Sequence, residues 1–336
     1  METNQSKAKT RFTWPDVAKG ICIISVILGH LGISYINRIV FIYHLPVFYI
    51  LAGYFLTKKA DKEFVISKAK RLLVPYYVTC AAMSLIGILN SDNKKEALLS
   101  WGIASLYGAG DSWHKPFEVN AIGAIWFLWA IFWALLILNH FIESKYYKII
   151  IIGIAFFGWA SFEISKIWFP LSIQAGMLAS LYLLIGYEIK KADLLEKLNC
   201  KILFIFFIVF IWGIINFKGF WLVHNYMGNG LFDFIASLCS AILIIVFSRF
   251  VSTHFPLSTK MLKWFGENSL TILCFHIIEL NVLPIGYFIG NRISEMITIN
   301  HYLIFLITVT FKFIFVIIST VIFNIIIRKF HAISHM

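Results

Sequence analysis

The sequence predicts an all-α polytopic integral membrane protein, a bundle of about ten transmembrane helices with both termini in the cytoplasm. Of its 336 residues, 60% are hydrophobic and only 14% are charged, whereas about a quarter of a soluble chain is charged. Apolar windows recur along the whole chain, and Lys and Arg concentrate in alternate connections between them. We therefore predict one multi-pass domain, residues 1–336, in the plasma or inner membrane and embedded in its lipid bilayer.

Each predicted span is a window of roughly 20 apolar residues, the length that crosses the hydrocarbon layer as a helix. The windows are 15–34, 39–57, 72–90, 121–140, 147–162, 172–189, 201–219, 231–250, 268–289 and 300–327. The last is long enough to tilt or kink. The first exceeds a signal-peptide core and lacks a small-residue cleavage site, so we expect it to remain attached.

The basic residues predict the orientation. With a cytoplasmic N-terminus, which carries Lys7, Lys9 and Arg11, the positive-inside rule is obeyed. The outward connections then hold only Arg38, Lys94, Lys95, Lys115, Lys166, Lys218 and Arg292. The net charge of +12 is divided among short clusters between apolar runs, which argues against a nucleic-acid partner. The five cysteines have no ligand spacing, so we predict neither a metal site nor a disulfide framework.

Two histidines lie at membrane depth in the first two spans. At about 1.5 Å per residue, His30 lies roughly 21 Å beyond Asp16, and His44 falls near the outer end of the next span. Ionisable residues at such depths usually face a site or polar cavity, and a neutral imidazole can accept a hydroxyl proton. We predict both as catalytic. The alternative is that each hydrogen-bonds across helices, or that His44 only holds a turn before Pro46.

A basic cluster enters the third span, and we predict that it binds an anionic cofactor. Lys68 and Arg71 share a helical face because they are three residues apart, and Lys70 lies between them. Lys and Arg suit phosphate binding, although such a cluster also serves as a positive-inside signal. Lys19 either pairs with Asp16 or joins this group.

The later spans hold a second polar group. His276 and Glu279 share a helix face, and Lys312 lies deep in the last span. Because lone buried charges are costly, we predict an ion pair between Glu279 and Lys312. It serves either as a structural clamp or in catalysis, and His276 is predicted to contact substrate. Two further residues have open alternatives: Trp126 packs or stacks on a sugar, and Asp233 binds sugar hydroxyls or caps its helix.

These residues together resemble a known family. The pattern begins with Asp16-x-x-Lys19-Gly20 and His30, and continues with the segment from His44 to Phe55. Further matches are the segment 124–128 and Phe265-Gly266-Glu-Asn268-Ser269 leading to His276. In their order and spacing, these motifs resemble the membrane-bound acyltransferase 3 family, especially its fucose 4-O-acetylase-like branch, over nearly the whole chain.

The resemblance implies transfer of an acetyl, or sometimes succinyl, group from cytoplasmic acyl-CoA to a hydroxyl of cell-surface polysaccharide or its lipid-linked precursor. His30 matches the essential first-span histidine, the expected general base, and acetyl-CoA is the expected donor. The family's Arg-x-x-Arg corresponds here to Lys68-x-x-Arg71, and Lys19 stands where many members have Arg. Ala52 replaces the usual serine. Asn268 and Ser269 are assigned to the acceptor site.

Several alternatives remain open at this stage. The reaction proceeds by direct attack of the acceptor hydroxyl or through an acetyl-histidine intermediate. A different class of protein, a transporter or flippase for polysaccharide or lipid-linked sugar, would also need many spans and buried charges, but the sequence lacks the paired broken helices of two related halves. A sensor or scaffold without catalysis is a third reading. Homo-oligomerisation is left open.

Overall fold

The structure, a computed structural model, describes residues 12–296 and 301–334, with side chains for 12–293 and 303–330. Lys7, Lys9 and Arg11 of the predicted orientation signal lie outside the described residues. The helices are α1 (Trp14–Gly29), α2 (Ser34–Tyr54), α3 (Asp61–Lys68), α4 (Val74–Leu89), α5 (Lys94–Tyr107), α6 (Phe127–Phe141), α7 (Tyr147–Ser165), α8 (Ile173–Lys191), α9 (Cys200–Ile215), α10 (Leu231–His254), α11 (Pro256–Glu267), α12 (Ser269–Asn281), α13 (Ile285–Met296) and α14 (His301–Ser334). The helical membrane fold is as predicted.

The predicted spans all coincide with helices, although not every helix is long. Within the described residues, seven helical segments are long and apolar enough to cross a membrane, and the bent pair α12 and α13 would make an eighth. α1 and α9 have 16 residues each, which is short for the hydrocarbon layer. A count of ten spans requires both to cross, and it stays a prediction, as does the cytoplasmic position of the termini.

The second helix differs from its sequence prediction. α2 begins at Ser34, ahead of the predicted 39, and continues through Pro46 to Tyr54. The interpretation of His44 as the holder of a turn is therefore wrong. A proline is tolerated inside a membrane helix where neighbouring groups satisfy the backbone. His44 consequently projects from the middle of a continuous helix.

Glycines of the sequence motifs allow two close helix crossings. A Cβ on Gly266 of α11 would lie 1.7 Å from the Asp16 carbonyl oxygen of α1, and one on Gly20 would lie 2.0 Å from the Leu262 carbonyl oxygen. Gly53 of α2 likewise faces the backbone of Leu183 in α8. Small residues that permit backbone approach are the usual means of helix packing in membranes. These crossings pack α1 closely against α11 and α2 closely against α8.

The connections alternate between two ends of the bundle. The basic end contains the start of α1 and the connections α2–α3, α6–α7 and α8–α9. The opposite end contains the loops 108–123 and 216–230. The second loop forms two short antiparallel strands, β1 (Phe220–Trp221) and β2 (Tyr226–Met227). Strands of two residues carry no recognisable alternation, so the sequence did not predict them.

Candidate active site

A cavity of about 1430 Å³ lies inside the bundle and reaches residues of both ends. Typical small-molecule pockets measure about 300–1,000 Å³. Its walls come mainly from α1, α2, α6 and α12, with the turn before α4 at the basic end and both loops at the opposite end. The middle is apolar, with Ile23, Val26, Phe48, Leu51, Phe127, Leu128, Ile131 and Leu273. The volume is sufficient for a long ligand.

His30 lies at the C-terminal end of α1 and lines this cavity. Its Nδ1 is 2.7 Å from the carbonyl oxygen of Val26. A carbonyl oxygen only accepts hydrogen bonds, so Nδ1 carries the proton of the neutral ring and donates it. Nε2 therefore keeps its lone pair, which is the atom that a general base requires.

His44 shows the same arrangement on α2. Its Nδ1 is 2.6 Å from the carbonyl oxygen of Val40, and its side chain is buried but lines the cavity. The same reasoning leaves its Nε2 as an acceptor. The two histidines predicted from depth thus contribute two imidazole lone pairs to one cavity.

His276 lies behind His30. It is fully buried on α12, and its Nε2 is 3.3 Å from Nδ1 of His30. Since Nδ1 of His30 carries the proton, Nε2 of His276 can share it as a second acceptor beside Val26. The Nδ1 of His276 has no hydrogen-bond partner among the described residues. His276 does not line the cavity, so its position suits support of His30 better than the predicted contact with substrate.

The ion pair predicted between Glu279 and Lys312 is present. Nζ of Lys312 lies 2.7 Å from Oε2 of Glu279, with 1% and 0% of the two side chains exposed. The backbone N–H of Gly286 donates to Glu279 at 3.4 Å, and Lys312 also lies over the ring of Tyr287 at 4.8 Å. Neither charge lines the cavity. The pair joins α12 to α14, which favours the clamp interpretation, and its part in catalysis stays a prediction.

The cations of the basic end differ in their access to the cavity. Lys68 and Arg71 line it, whereas Lys70 does not. A π-helical turn, Ala69–Leu73, joins α3 to α4 and carries Lys70 and Arg71. Lys19 also lines the cavity but is held 2.6 Å from the buried Asp16. The sequence left open which cations of this cluster face a ligand, and of the three only Lys68 and Arg71 line the cavity.

The other predicted substrate contacts fall into two groups. Trp126 and Ser269 line the cavity. Asn268 does not, because its amide donates to the Trp264 carbonyl at 2.8 Å and its oxygen accepts from Asn324 of α14 at 2.7 Å. Asp233 also lies away from the cavity lining. It accepts bonds from the backbone and side chain of Asn229 at 2.7 and 3.0 Å, so it stabilises the start of α10.

The structure adds cavity residues that sequence reasoning missed. At the opposite end, Asp111 lines the cavity, and its carboxylate is 3.2 Å from Nε2 of His224. His224 stacks on Phe162 and contacts Trp113 and Trp168. Burial lowers the pKa of His224, and the nearby Asp111 charge opposes that shift. The only local signal for Asp111 was the Gly-rich stretch before it.

Lys190 was also missed at the basic end. It lies in the last turn of α8 and lines the cavity, but in the sequence it was one of many Lys residues that indicate orientation. No group of three or more His, Cys, Asp or Glu within the described residues could hold a metal ion.

The fold and the cavity define a multi-pass membrane protein with an internal site that faces both ends of its bundle. A family model for an acyltransferase domain, acyltransferase 3, matches residues 12–329, and the chain belongs to that family. Comparisons with curated proteins and with solved structures give no match. The family assignment, made on nearly the whole chain, agrees with the resemblance found in the motifs.

Proposed function

We propose that this protein is a membrane O-acyltransferase that moves an acetyl, or succinyl, group from cytoplasmic acyl-CoA to a hydroxyl of cell-surface polysaccharide or its lipid-linked precursor. The observation that carries the proposal is one continuous cavity that joins a cationic mouth to a histidine with a free lone pair. Membership of the acyltransferase 3 family supports the class of reaction.

The donor enters at the basic end in this proposal. Lys68, Arg71 and Lys190 line the cavity, and no carboxylate among the described residues forms an ion pair with them. In contrast, Lys19 and Lys59 are paired. Cations without carboxylate partners at the mouth of a cavity favour an anionic ligand. The phosphates of acyl-CoA supply that charge.

The distance to the base suits a long, thin donor. Lys19 and His30 are eleven residues apart on α1, which corresponds to roughly 16 Å. The apolar middle of the cavity would surround the pantetheine arm, and the thioester would reach His30. The acyl group would then be delivered across the membrane while CoA stays at the basic end.

In the proposed step, Nε2 of His30 takes the proton from the acceptor hydroxyl as its oxygen attacks the thioester carbonyl. The carbon–sulfur bond breaks, and the CoA thiolate recovers the proton from the imidazolium. His276 and the Val26 carbonyl hold the Nδ1 side of the ring, so Nε2 keeps its orientation. Nucleophilic attack by Nε2 itself would give an acetyl-histidine intermediate from the same arrangement. Rapid quenching with labelled donor separates the routes, because only the second leaves label on the protein.

The acceptor approaches from the opposite end. Trp126 and Trp221 line the cavity there and would supply aromatic surface, while Asp111 would offer a carboxylate to hydroxyl donors. A few polar groups in a mainly apolar pocket are what fix a ligand's orientation. A carbohydrate, with hydroxyls on a ring that has apolar faces, matches this combination.

Purified protein with labelled acetyl-CoA tests the proposal. The native protein should hydrolyse the donor or transfer its label to cell-envelope carbohydrate, and H30A should reduce that rate about 10²–10⁴-fold. H114A is the matched control, because His114 lies in an exposed loop and does not line the cavity. Native protein that neither hydrolyses nor transfers acetyl would contradict the proposal and favour a transporter. Normal turnover by H30A would remove His30 from the mechanism.

A further inference from the structure

Lys190 differs from the other lysines of the basic end in its surroundings. It lies in the last turn of α8, is exposed at the cavity mouth, and has its Nζ 5.3 Å from the centre of the Tyr54 ring. The next residue, Lys191, is also exposed but lies over the rings of Tyr147 and Tyr187, outside the cavity lining. The two adjacent lysines therefore lie in different surroundings, and only Lys190 lines the cavity.

The cavity cations that have no ion-pair partner among the described residues come from two separate elements. Lys68 and Arg71 come from the junction of α3 and α4, and Lys68 is half-buried over the ring of Phe64. Lys190 comes from α8 and, like Arg71, is exposed. The half-buried Lys68 therefore marks the inner part of the cationic mouth, and Lys190 marks a separate place on its rim.

Acyl-CoA carries phosphate in two places. Its diphosphate adjoins the pantetheine arm, and a separate 3′-phosphate lies on the ribose beside the adenine. With the thioester directed toward His30, the diphosphate must lie deeper than the 3′-phosphate. We infer that Lys190 binds the 3′-phosphate of the donor, while Lys68 and Arg71 bind the diphosphate. This inference rests on the proposed use of acyl-CoA.

The Tyr54 ring that Lys190 approaches is also in contact with Phe55, which offers a ring for the adenine. Phe55 lines the cavity with 47% of its surface exposed, and its ring centre is 4.9 Å from that of Tyr54. Bases stack on such exposed rings. Phe55 and Lys190 together form a subsite for the 3′-phosphoadenosine end, with charge for the phosphate and a ring for the base.

Binding of acetyl-CoA and of acetyl-dephospho-CoA, which lacks only the 3′-phosphate, tests this assignment in the purified protein. The native protein should bind acetyl-CoA about fivefold more tightly, the value for one exposed charge contact. K190A should abolish this preference, and K190R should restore it. K191A, which removes the same charge one residue away, should retain it. R71A should weaken the binding of both donors and leave the preference for acetyl-CoA unchanged. F55L should weaken the binding of both donors. It should not weaken the binding of S-acetyl-phosphopantetheine, which lacks the adenine.

The outcomes separate this inference from the proposed function. If the native protein binds neither donor, the use of acyl-CoA fails. If it binds both equally, or if K190A keeps the preference for acetyl-CoA, donor binding stands and the role of Lys190 is overturned. If K191A loses the preference as K190A does, general charge rather than a subsite is responsible, which also overturns the inference.

Discussion

The ion pair between Glu279 and Lys312 gives the sharpest test of how this fold is held together. Both side chains are almost completely buried, and their charged atoms lie 2.7 Å apart. Replacing one partner strands the other charge in a medium of low dielectric constant, at about 3–5 kcal/mol. We expect E279M and K312M each to show this loss, whereas the double variant, which buries two apolar side chains, should recover most of it.

The loss converts to a measurable shift in melting temperature. At about 2 cal/mol/K per residue, a chain of this length has an unfolding entropy near 0.7 kcal/mol/K, so 3–5 kcal/mol corresponds to roughly 4–7 °C. Thermal unfolding in detergent measures it. The exposed pair of Lys166 and Glu163, 2.6 Å apart with 52% and 36% of the side chains exposed, is the matched control. Removing this exposed ion pair should shift the melting temperature by about 1 °C.

The double variant decides the interpretation. If the destabilisation of E279M and that of K312M simply add, the two charges do not stabilise one another and the reasoning is refuted. Recovery of both stability and acyl transfer would identify a pure clamp between α12 and α14. Recovery of stability without activity would show that the pair also serves the reaction.

Three further predictions concern other parts of the molecule. R71A should weaken acetyl-CoA binding about tenfold, as expected for a charge-assisted contact to phosphate. K70A should bind acetyl-CoA normally in the same titration. Equal losses of affinity in the two variants would show that lining the cavity does not explain the effect. G266A should lower the melting temperature because its Cβ would strike backbone, whereas G102A has open space around it; similar melting temperatures would contradict the close crossing. Burial lowers the pKa of His224 in the folded protein below its ordinary 6.5. The unfolded chain therefore binds a proton at a pH where the folded protein does not, so stability should fall as pH drops through about 6.5. H224Q should flatten this fall in melting curves recorded from about pH 7 to about pH 5, and parallel curves for both proteins would argue against it.

The sequence predicted features that follow from the cost of burying polar groups in lipid. Helix positions follow from apolar length, and the partnership of Glu279 with Lys312 follows from the penalty for a lone charge. His30 and His44 were singled out by depth alone, and both line the cavity.

The features that the sequence did not predict depend on tertiary neighbours. Lys190 and Lys191 are indistinguishable in sequence, and only packing directs one to the cavity and the other to Tyr147. Asp111 reaches the cavity because two loops distant in sequence meet at the opposite end. His276 was predicted to contact substrate, but the crossing of α12 with α1 places it behind His30. Residue type and depth cannot specify which of two sides a residue faces.

The apolar middle of the cavity has a consequence for membrane permeability. A passage that reaches both ends of a membrane protein would leak protons and salt if it filled with a continuous column of water. Phe48 and Phe127, with ring centres 5.7 Å apart, both line the cavity, and an apolar lining disfavours hydrated ions because it gives them no polar partners. The acyl-pantetheine chain of the proposed donor would enter such a lining more readily because its atoms are not hydrated as ions are. The same rings would therefore act as an electrical seal when the enzyme is empty and as a sleeve for the donor when it is loaded.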